Sequence, residues 1–541
     1  MVSSTADLAV ATRVRRFGRP PAPGLNGVGL AVGLVFALPL GYLLSHNRDF
    51  GDALRGAEVG AALGRSLLLA TACATTTAIV GTALAWLIAR TDLPGRSVVR
   101  ILAPLPLVFP SFVGAFCFLA AFTDGGLVEE YVLSPLGVDA RWRIEGFGWS
   151  VLVLTLFTYP YVYLPVLARL AALPASIEES ARSLGCSARQ AFVRIVLPQI
   201  AGAIGAGAML VFLYSLSEFG AVSLLRYTTL TRSIYLATQG FDRPTAYALS
   251  LVLATCALIA IAGERAWARR RGRTEATGRG RTTIQYSLGR MRWPACLAVA
   301  GLIILALLGP VVVLFQWALR GVQNGSQLHV ERLLPAMLNT ARFGLFGAIA
   351  AVGLVLPVAY LTVRHPASAI GRIANAVVTS TFALPGLVLG FVFVNLAQSA
   401  WVPERLYQSV PLLIVAYVVH FGAQALRASE VAVAGVPRRL GDAARSLGAG
   451  SVSRFVRVDL PIMRSGLAAG AGLVLLSITK ELPATLLLIP NETDTLALRV
   501  WSATDGLFYA QAGFFGLWLV ALSGLLTWLI TLRPLAREGR L

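Results

Sequence analysis

Apolar residues fall in this chain in long unbroken blocks separated by short polar stretches, with no sustained alternation of period two. A helix that crosses a bilayer needs about 20 mostly apolar residues. Twelve blocks meet that length, at 27–46, 63–89, 98–122, 148–170, 197–219, 245–263, 294–317, 338–363, 371–397, 408–427, 462–482 and 510–531. Several hold Gly and Pro, which helices in lipid tolerate better than helices in water. The first block is longer than the apolar core of a secretory leader and has no small-residue cleavage site after it, so it is expected to be retained. The pattern predicts an all-α polytopic membrane protein.

The polar stretches orient the blocks. Arg13, Arg15, Arg16 and Arg19 precede the first, nine arginines from Arg265 to Arg292 lie in 264–293, and Arg533, Arg537 and Arg540 follow the last. With twelve crossings these three segments share one side, and arginine enrichment assigns that side to the cytoplasm. Loop 123–147 holds Asp124, Glu129, Glu130, Asp139 and Glu145 against Arg141 and Arg143, and is expected outside. The expected layout is a basic cytoplasmic tail (1–26), a first half of six spans (27–263), a basic cytoplasmic linker (264–293), a second half of six spans (294–532) and a cytoplasmic tail (533–541).

Composition supports lipid as the solvent. Only 13% of residues are charged and 56% are hydrophobic, with a mean hydropathy of +0.72, whereas a soluble domain carries about 25% charged residues. The net charge of +20 would suggest nucleic acid in a soluble protein. Here the arginines lie between apolar blocks, so topology accounts for them and no nucleic-acid partner is expected. Five isolated cysteines and four scattered histidines give no zinc pattern and no disulfide framework.

The halves repeat each other. Residues 181–198 read ARSLGCSARQAFVRIVLP and residues 444–461 read ARSLGAGSVSRFVRVDLP, at a constant offset of 263. A weaker echo pairs 66–96 with 340–372, each ending in a basic loop (Arg90 and Arg96; Arg364 and Arg372). Both strong copies sit between the fourth and fifth blocks of their half, so they emerge on one face, as parallel repeats do. In the first copy, Glu178 and Glu179 suit the positive end of a short helix over 176–184. Ile177, Ala181 and Leu184 give it one apolar stripe, and Gly185 can stop it with a positive φ. A second helix follows, with Phe192, Ile195 and Val196 apolar and Arg189 and Arg194 basic, and Pro198 marks the return to the membrane. A single such loop could simply lie on the lipid surface. Two copies at one offset instead imply a partner with two equivalent grooves.

At these residues the chain resembles the permeases of bacterial binding-protein-dependent ABC importers, whose hallmark is the EAA loop, E-A-A-x-x-x-G followed about a dozen residues later by L-P. The first loop (176–198) gives Glu178-Glu179-Ser180-Ala181, Leu184, Gly185 and Leu197-Pro198; the second (439–461) gives Asp442-Ala443-Ala444, Leu447, Gly448 and Leu460-Pro461. The likeness covers residues 60–263 and 337–531. It implies the MetI-like permease fold in two parallel six-helix repeats, with each loop forming a coupling helix that docks on one subunit of an ATPase dimer. Ser180 and the absence of a glutamate before Asp442 depart from the pattern, so the loops differ in strength. The stretches SEFGAVSLL (217–225), TKELPATLLL (479–488) and DTLALRVW (494–501) resemble ferric-iron importer permeases of the fused, FbpB-like type; thiamine and 2-aminoethylphosphonate importers have similar fused permeases.

Lys480, the only lysine, sits in ITKELP and not beside glycines, so no phosphate-binding loop is present. ATP and its magnesium therefore belong to a separate ATPase, this chain holding no cofactor, and solute capture belongs to a periplasmic binding protein. Glu218, Lys480 and Glu481 fall near the outer ends of the fifth and eleventh blocks, Glu218 and Glu481 at the 263 offset. Ionisable groups at membrane depth usually face protein or a water-filled path, so these three are candidates to line the pathway between the halves; a structural ion pair or snorkelling at the interface is the alternative. An ion-coupled secondary transporter would not need duplicated docking loops, and a membrane enzyme would need a nucleophile, metal or paired carboxylates within its spans. The expectation is a multi-pass importer subunit of the bacterial inner membrane, with ferric iron as the suggested cargo and both termini cytoplasmic.

Overall fold

The computed structural model describes residues 23–46, 51, 59–137, 143–271, 286–400 and 402–532. The arginines of 1–22, 272–285 and 533–541, with Asp139 and Arg141, lie outside the described residues. Within them the chain is helical throughout, with one isolated parallel bridge between Thr91 and Tyr286.

Among the described residues, nine helices are long and apolar enough to cross a membrane, and three bent pairs bring the number to twelve if each pair is one span. The bent pairs fall where continuous spans were expected. Arg96–Val108 and Ser111–Phe122 meet at 96°, Phe147–Thr158 and Pro160–Ala172 at 41°, and Ala369–Ala383 and Gly386–Ala397 at 106°. The cause is proline, which removes a helix donor and clashes with the carbonyl four residues back. Pro104, Pro106 and Pro110 crowd the first break, Pro160 the second and Pro385 the third.

Proline also explains a subtler feature. The wide, π-helical turns at Glu129–Leu133, Phe192–Val196, Ile304–Leu308, Phe455–Asp459 and Trp528–Leu532 each end two residues before a proline. A helix approaching a residue that cannot donate to the usual carbonyl relieves the clash by widening by one residue. Two of these turns are the FVR blocks of the repeat. The Leu-Pro that closes each copy accompanies this turn in both, whereas Pro39, Pro165 and Pro357 sit inside helices with no such turn before them.

The contacts divide the chain into two compact units, and each draws on both sequence halves. One comprises, among the described residues, 23–38 with Leu345–Phe382 and Tyr417–Leu475. There the helix Pro23–Ser45 lays Phe36 against Gly422, where a Cβ would overlap the phenyl ring. Helices Val410–Ala434 and Leu460–Ile478 approach through Ala428 and Ala432 on one and Gly470 and Gly466 on the other. Small residues four apart let backbones close in lipid, where dispersion and not water release drives helix association. The other comprises the described residues within 39–344, 383–416 and 476–532. In it Gly81 and Gly207 admit the backbone of residues 159–163 from two sides, and Gly207 stands at the repeat offset from Gly470.

Candidate functional site

The repeat forms the same structure twice. Helices Ala175–Ser183 and Arg438–Ser446 match residue for residue at the 263 offset, each beginning after a proline, Pro174 or Pro437. Each stops at its glycine: φ is 89° at Gly185 and 81° at Gly448, a backbone region that a side chain makes costly. In the second copy Leu447, Gly448 and Ala449 donate to the carbonyls of Ala443, Arg445 and Ala444 at 3.2, 2.9 and 3.0 Å, closing the helix end. Leu184 and Leu447, the residues before the glycines, are 85% and 87% exposed. Each loop thus raises one leucine off a short helix. Glu179, Ser180, Asp442 and Ala443 are exposed with them, and Asp442 pairs with Arg445 one turn on. Pro198 and Pro461 are exposed at the start of the following long helices, and Ala444 is half-buried. The side chains of Ile177 and Ala181, two members of the expected stripe, lie outside what is described.

Beneath each tip the loop is anchored to the end of its half's second span by an edge-to-face aromatic pair. In the first half Phe192 meets Trp86 at 6.0 Å, and in the second Phe455 meets Tyr360 at 5.8 Å. Here the copies diverge. Glu178, expected beside Glu179 on the docking helix, is turned inward: it is buried, paired with buried Arg90 at 3.1 Å and bonded by the Tyr286 hydroxyl at 2.9 Å. Arg90 also donates to the Leu170 carbonyl at 3.2 Å. A cleft of about 540 Å³ opens at this anchor, lined by Thr82, Trp86, Glu178, Phe192, Val196 and Tyr286, among others. At the position equivalent to Glu178 the second half has Gly441. Its anchor is Asp459, buried, which accepts from the Tyr360 hydroxyl at 2.8 Å, while Arg454 donates to that hydroxyl at 2.6 Å. None of Arg90, Tyr286, Arg454, Asp459 or Tyr360 is marked by a motif. The only advance signal is Arg90 and Arg364 recurring at the ends of paired spans.

The three expected pathway residues gather at a second place. The long helices Leu197–Ser217 and Leu460–Ile478 end and a short helix restarts, Gly220–Leu224 in one half and Pro483–Leu488 in the other. Glu218 accepts from the Ala221 N–H at 2.9 Å, and Glu481 from the Ala484 N–H at 2.9 Å, so each carboxylate caps its restart. Glu218 is buried and also accepts from Ser111 at 2.8 Å. Lys480 donates to the Leu107 carbonyl, 2.7 Å away, at the proline-rich break of the first half. The restarts touch, because a Cβ at Gly220 would lie 3.4 Å from the Leu482 side chain.

Phe219, between these elements, is buried and carries Tyr235 at 4.8 Å and Trp501 at 5.3 Å between ring centroids. Tyr235 and Trp501 occupy matching places on Leu230–Gln239 and Leu496–Asp505, whose first N–H groups bond Ser66 and Thr340 at 2.8 and 2.9 Å. Phe219 and Trp501 lie within stretches 217–225 and 494–501, which carry the resemblance without marking out the rings, and Tyr235 and Trp501 are offset by 266 and not 263. Among the described residues, no three His, Cys, Asp or Glu side chains converge as a metal cage.

A family profile described as the inner membrane component of binding-protein-dependent transport systems matches the chain twice, at residues 79–273 and 344–533. The chain is 30% identical over 523 residues to the Fe(3+)-transport system permease protein FbpB 2 of Haemophilus influenzae, covering 95% of this chain and 98% of that protein. It is 28% identical over 241 residues to the sulfate transport system permease protein CysT of Salmonella typhimurium, covering 42% of this chain and 86% of that one. A shorter match, 33% over 139 residues, links it to the molybdenum transport system permease protein ModB of Haemophilus influenzae, covering 25% and 58%.

Proposed function

The chain belongs to the family of inner membrane components of binding-protein-dependent transport systems, and from that premise we propose that it is the fused permease of a ferric-iron importer. The observation that carries the reading is the pair of loop helices, each presenting an exposed leucine in front of a left-handed glycine. Such a knob fits a groove, and two of them on one chain fit the two grooves of an ATPase dimer on the cytoplasmic side. That dimer uses ATP with magnesium; the permease itself holds no cofactor. A periplasmic binding protein delivers the solute, and both termini are cytoplasmic.

The mechanism is alternating access. ATP binding draws the ATPase subunits together, and Leu184 and Leu447 with their helices carry that closure into the spans that follow Pro198 and Pro461. The bound state has to favour one conformation, because a ligand with equal affinity for both shifts nothing. The restarts at Glu218 and Glu481 and the rings of Phe219, Tyr235 and Trp501 form the barrier that opens. Two carboxylates against one lysine give that barrier one more acidic than basic side chain, which supports a cation over an oxyanion, since an excess of fixed charge raises the local concentration of the opposite sign. The extended likeness to an Fe(3+) permease agrees with this, whereas the sulfate and molybdenum matches cover less than half of the chain.

The test is uptake into proteoliposomes holding the purified complex and its binding protein. Labelled ferric iron should accumulate with ATP inside, and sulfate or molybdate should not. Accumulation of either oxyanion in preference to iron would refute the cargo, and a purified complex with no separate ATPase would refute the importer.

A further inference from the structure

We propose that Tyr286, in the segment joining the two halves, is a positioning residue for the first loop helix, so that the first loop is coupled to the joining segment. This rests on the reading of the loops as docking elements. Tyr286 is held at every polar group it has. Its N–H donates to the Arg90 carbonyl at 2.7 Å, and its carbonyl accepts from the Asp92 N–H at 3.3 Å. Its hydroxyl donates to Glu178 Oε2 at 2.9 Å, and its ring stacks on Trp86 with centroids 6.2 Å apart. Leu288 extends the attachment, its N–H donating to Asp92 Oδ1 at 2.8 Å.

Glu178 belongs to the loop helix and Arg90 to the end of the second span, so their ion pair is where loop and bundle join. It is a demanding joint. Both side chains are buried, and Nε and Nη1 of Arg90 have no hydrogen-bond partner. A buried ion pair gains from each further hydrogen bond that satisfies its remaining lone pairs and protons. The Tyr286 hydroxyl supplies one to the carboxylate oxygen that does not face Arg90, the Arg90 Nε and Nη1 remaining unmatched. The cleft beside them leaves the helix room to shift when the bond is lost. The second loop is built otherwise: Gly441 carries no carboxylate, and Asp459, Tyr360 and Arg454, all from the second half, make the anchor. A movement of the first loop helix therefore pulls on the segment that joins the halves. Among the described residues, the Tyr360, Asp459 and Arg454 anchor of the second loop draws on its own half alone.

Tyr286→Phe separates positioning from mere stapling, because it keeps the ring stack and the backbone bridge and removes only the hydroxyl. In the full complex, reconstituted with its ATPase and binding protein, ATP hydrolysed per solute imported should rise roughly fivefold, a typical coupling effect. Glu178→Gln should do the same, and the double variant should be no worse than the poorer single one, since the two residues share one interaction. Labelling of the native Cys186, half-exposed in the loop, by an impermeant maleimide should quicken in Tyr286→Phe. An unchanged ratio with unchanged Cys186 labelling overturns the inference, as does a lower yield whose surviving complex keeps the original ratio. If Gly185→Val and Gly448→Val also leave coupling intact, the reading of the loops has failed; if they uncouple while Tyr286→Phe does not, only the role of Tyr286 has.

Discussion

Glu218 and Glu481 each commit one carboxylate oxygen to a backbone N–H three residues ahead, and this lets charge be tested apart from structure. Glutamine keeps an acceptor oxygen at the same place, so Glu481→Gln preserves the cap, an interaction worth about 1 kcal/mol, and deletes only the charge. Solute uptake should fall about fivefold or more while the complex assembles normally, because a cation in the barrier loses an attraction on the order of 1 kcal/mol or more at an effective dielectric of about 20. Unchanged uptake at normal expression would leave Glu481 as a cap and nothing more. Glu218 is the stricter case, since Ser111 also bonds it. Sequence placed these acids at membrane depth, and that much followed from their position in the blocks. It did not reveal that each caps a helix restart, which depends on the long helix ending at the residue before it or a few residues earlier.

The loop helices are short, nine residues each, and isolated helices of that length are marginal in water. Their form rests on their ends: a proline before, a glycine after, and the aromatic anchor beneath. Gly185→Val and Gly448→Val attack the end. Nothing lies within 4 Å of a Cβ built at either glycine, so the penalty is backbone strain of about 1–2 kcal/mol for a left-handed residue and not a clash. Each variant should insert and bind its ATPase, yet import should fall about tenfold with ATP hydrolysis continuing, and the two effects should be unequal because the anchors differ. Import at the original rate in both would remove the loops from the mechanism. These ends were readable in the sequence, because a helix stop at Gly and a return at Leu-Pro are local decisions. The π-helical form of FVR was not, because Pro39, Pro165 and Pro357 are preceded by ordinary helix.

At the scale of the molecule, the reading stands on both loops emerging on the same face. Leu184→Cys and Leu447→Cys, each made with Cys186→Ser, place a thiol on each exposed tip. Impermeant maleimide should label both in inside-out vesicles and neither in intact spheroplasts. Labelling of one from each side would break the parallel repeat and the docking of two equivalent motor subunits with it. Packing offers a separate check. Gly422→Leu drives a side chain into Phe36, and overpacking of this kind costs about 1–3 kcal/mol, so the detergent-solubilised protein should melt several degrees lower. A melting temperature unchanged by that substitution would mean that the first helix does not pack on Gly422.

The amino-acid sequence by itself determined what is local or periodic: blocks long enough for lipid and the 263-residue recurrence of a helix with its glycine and Leu-Pro. It also determined the family, because those features are contiguous. The tertiary structure decided the rest. Proline turned three expected spans into bent pairs, and the choice between a kink and a sharp reversal depends on what packs around the break. Glu178 sits next to Glu179, yet one is buried and the other exposed. What separates them is Arg90 and Tyr286, which lie 88 and 108 positions away along the chain, and no pattern in the sequence encodes which distant charge will be left inside.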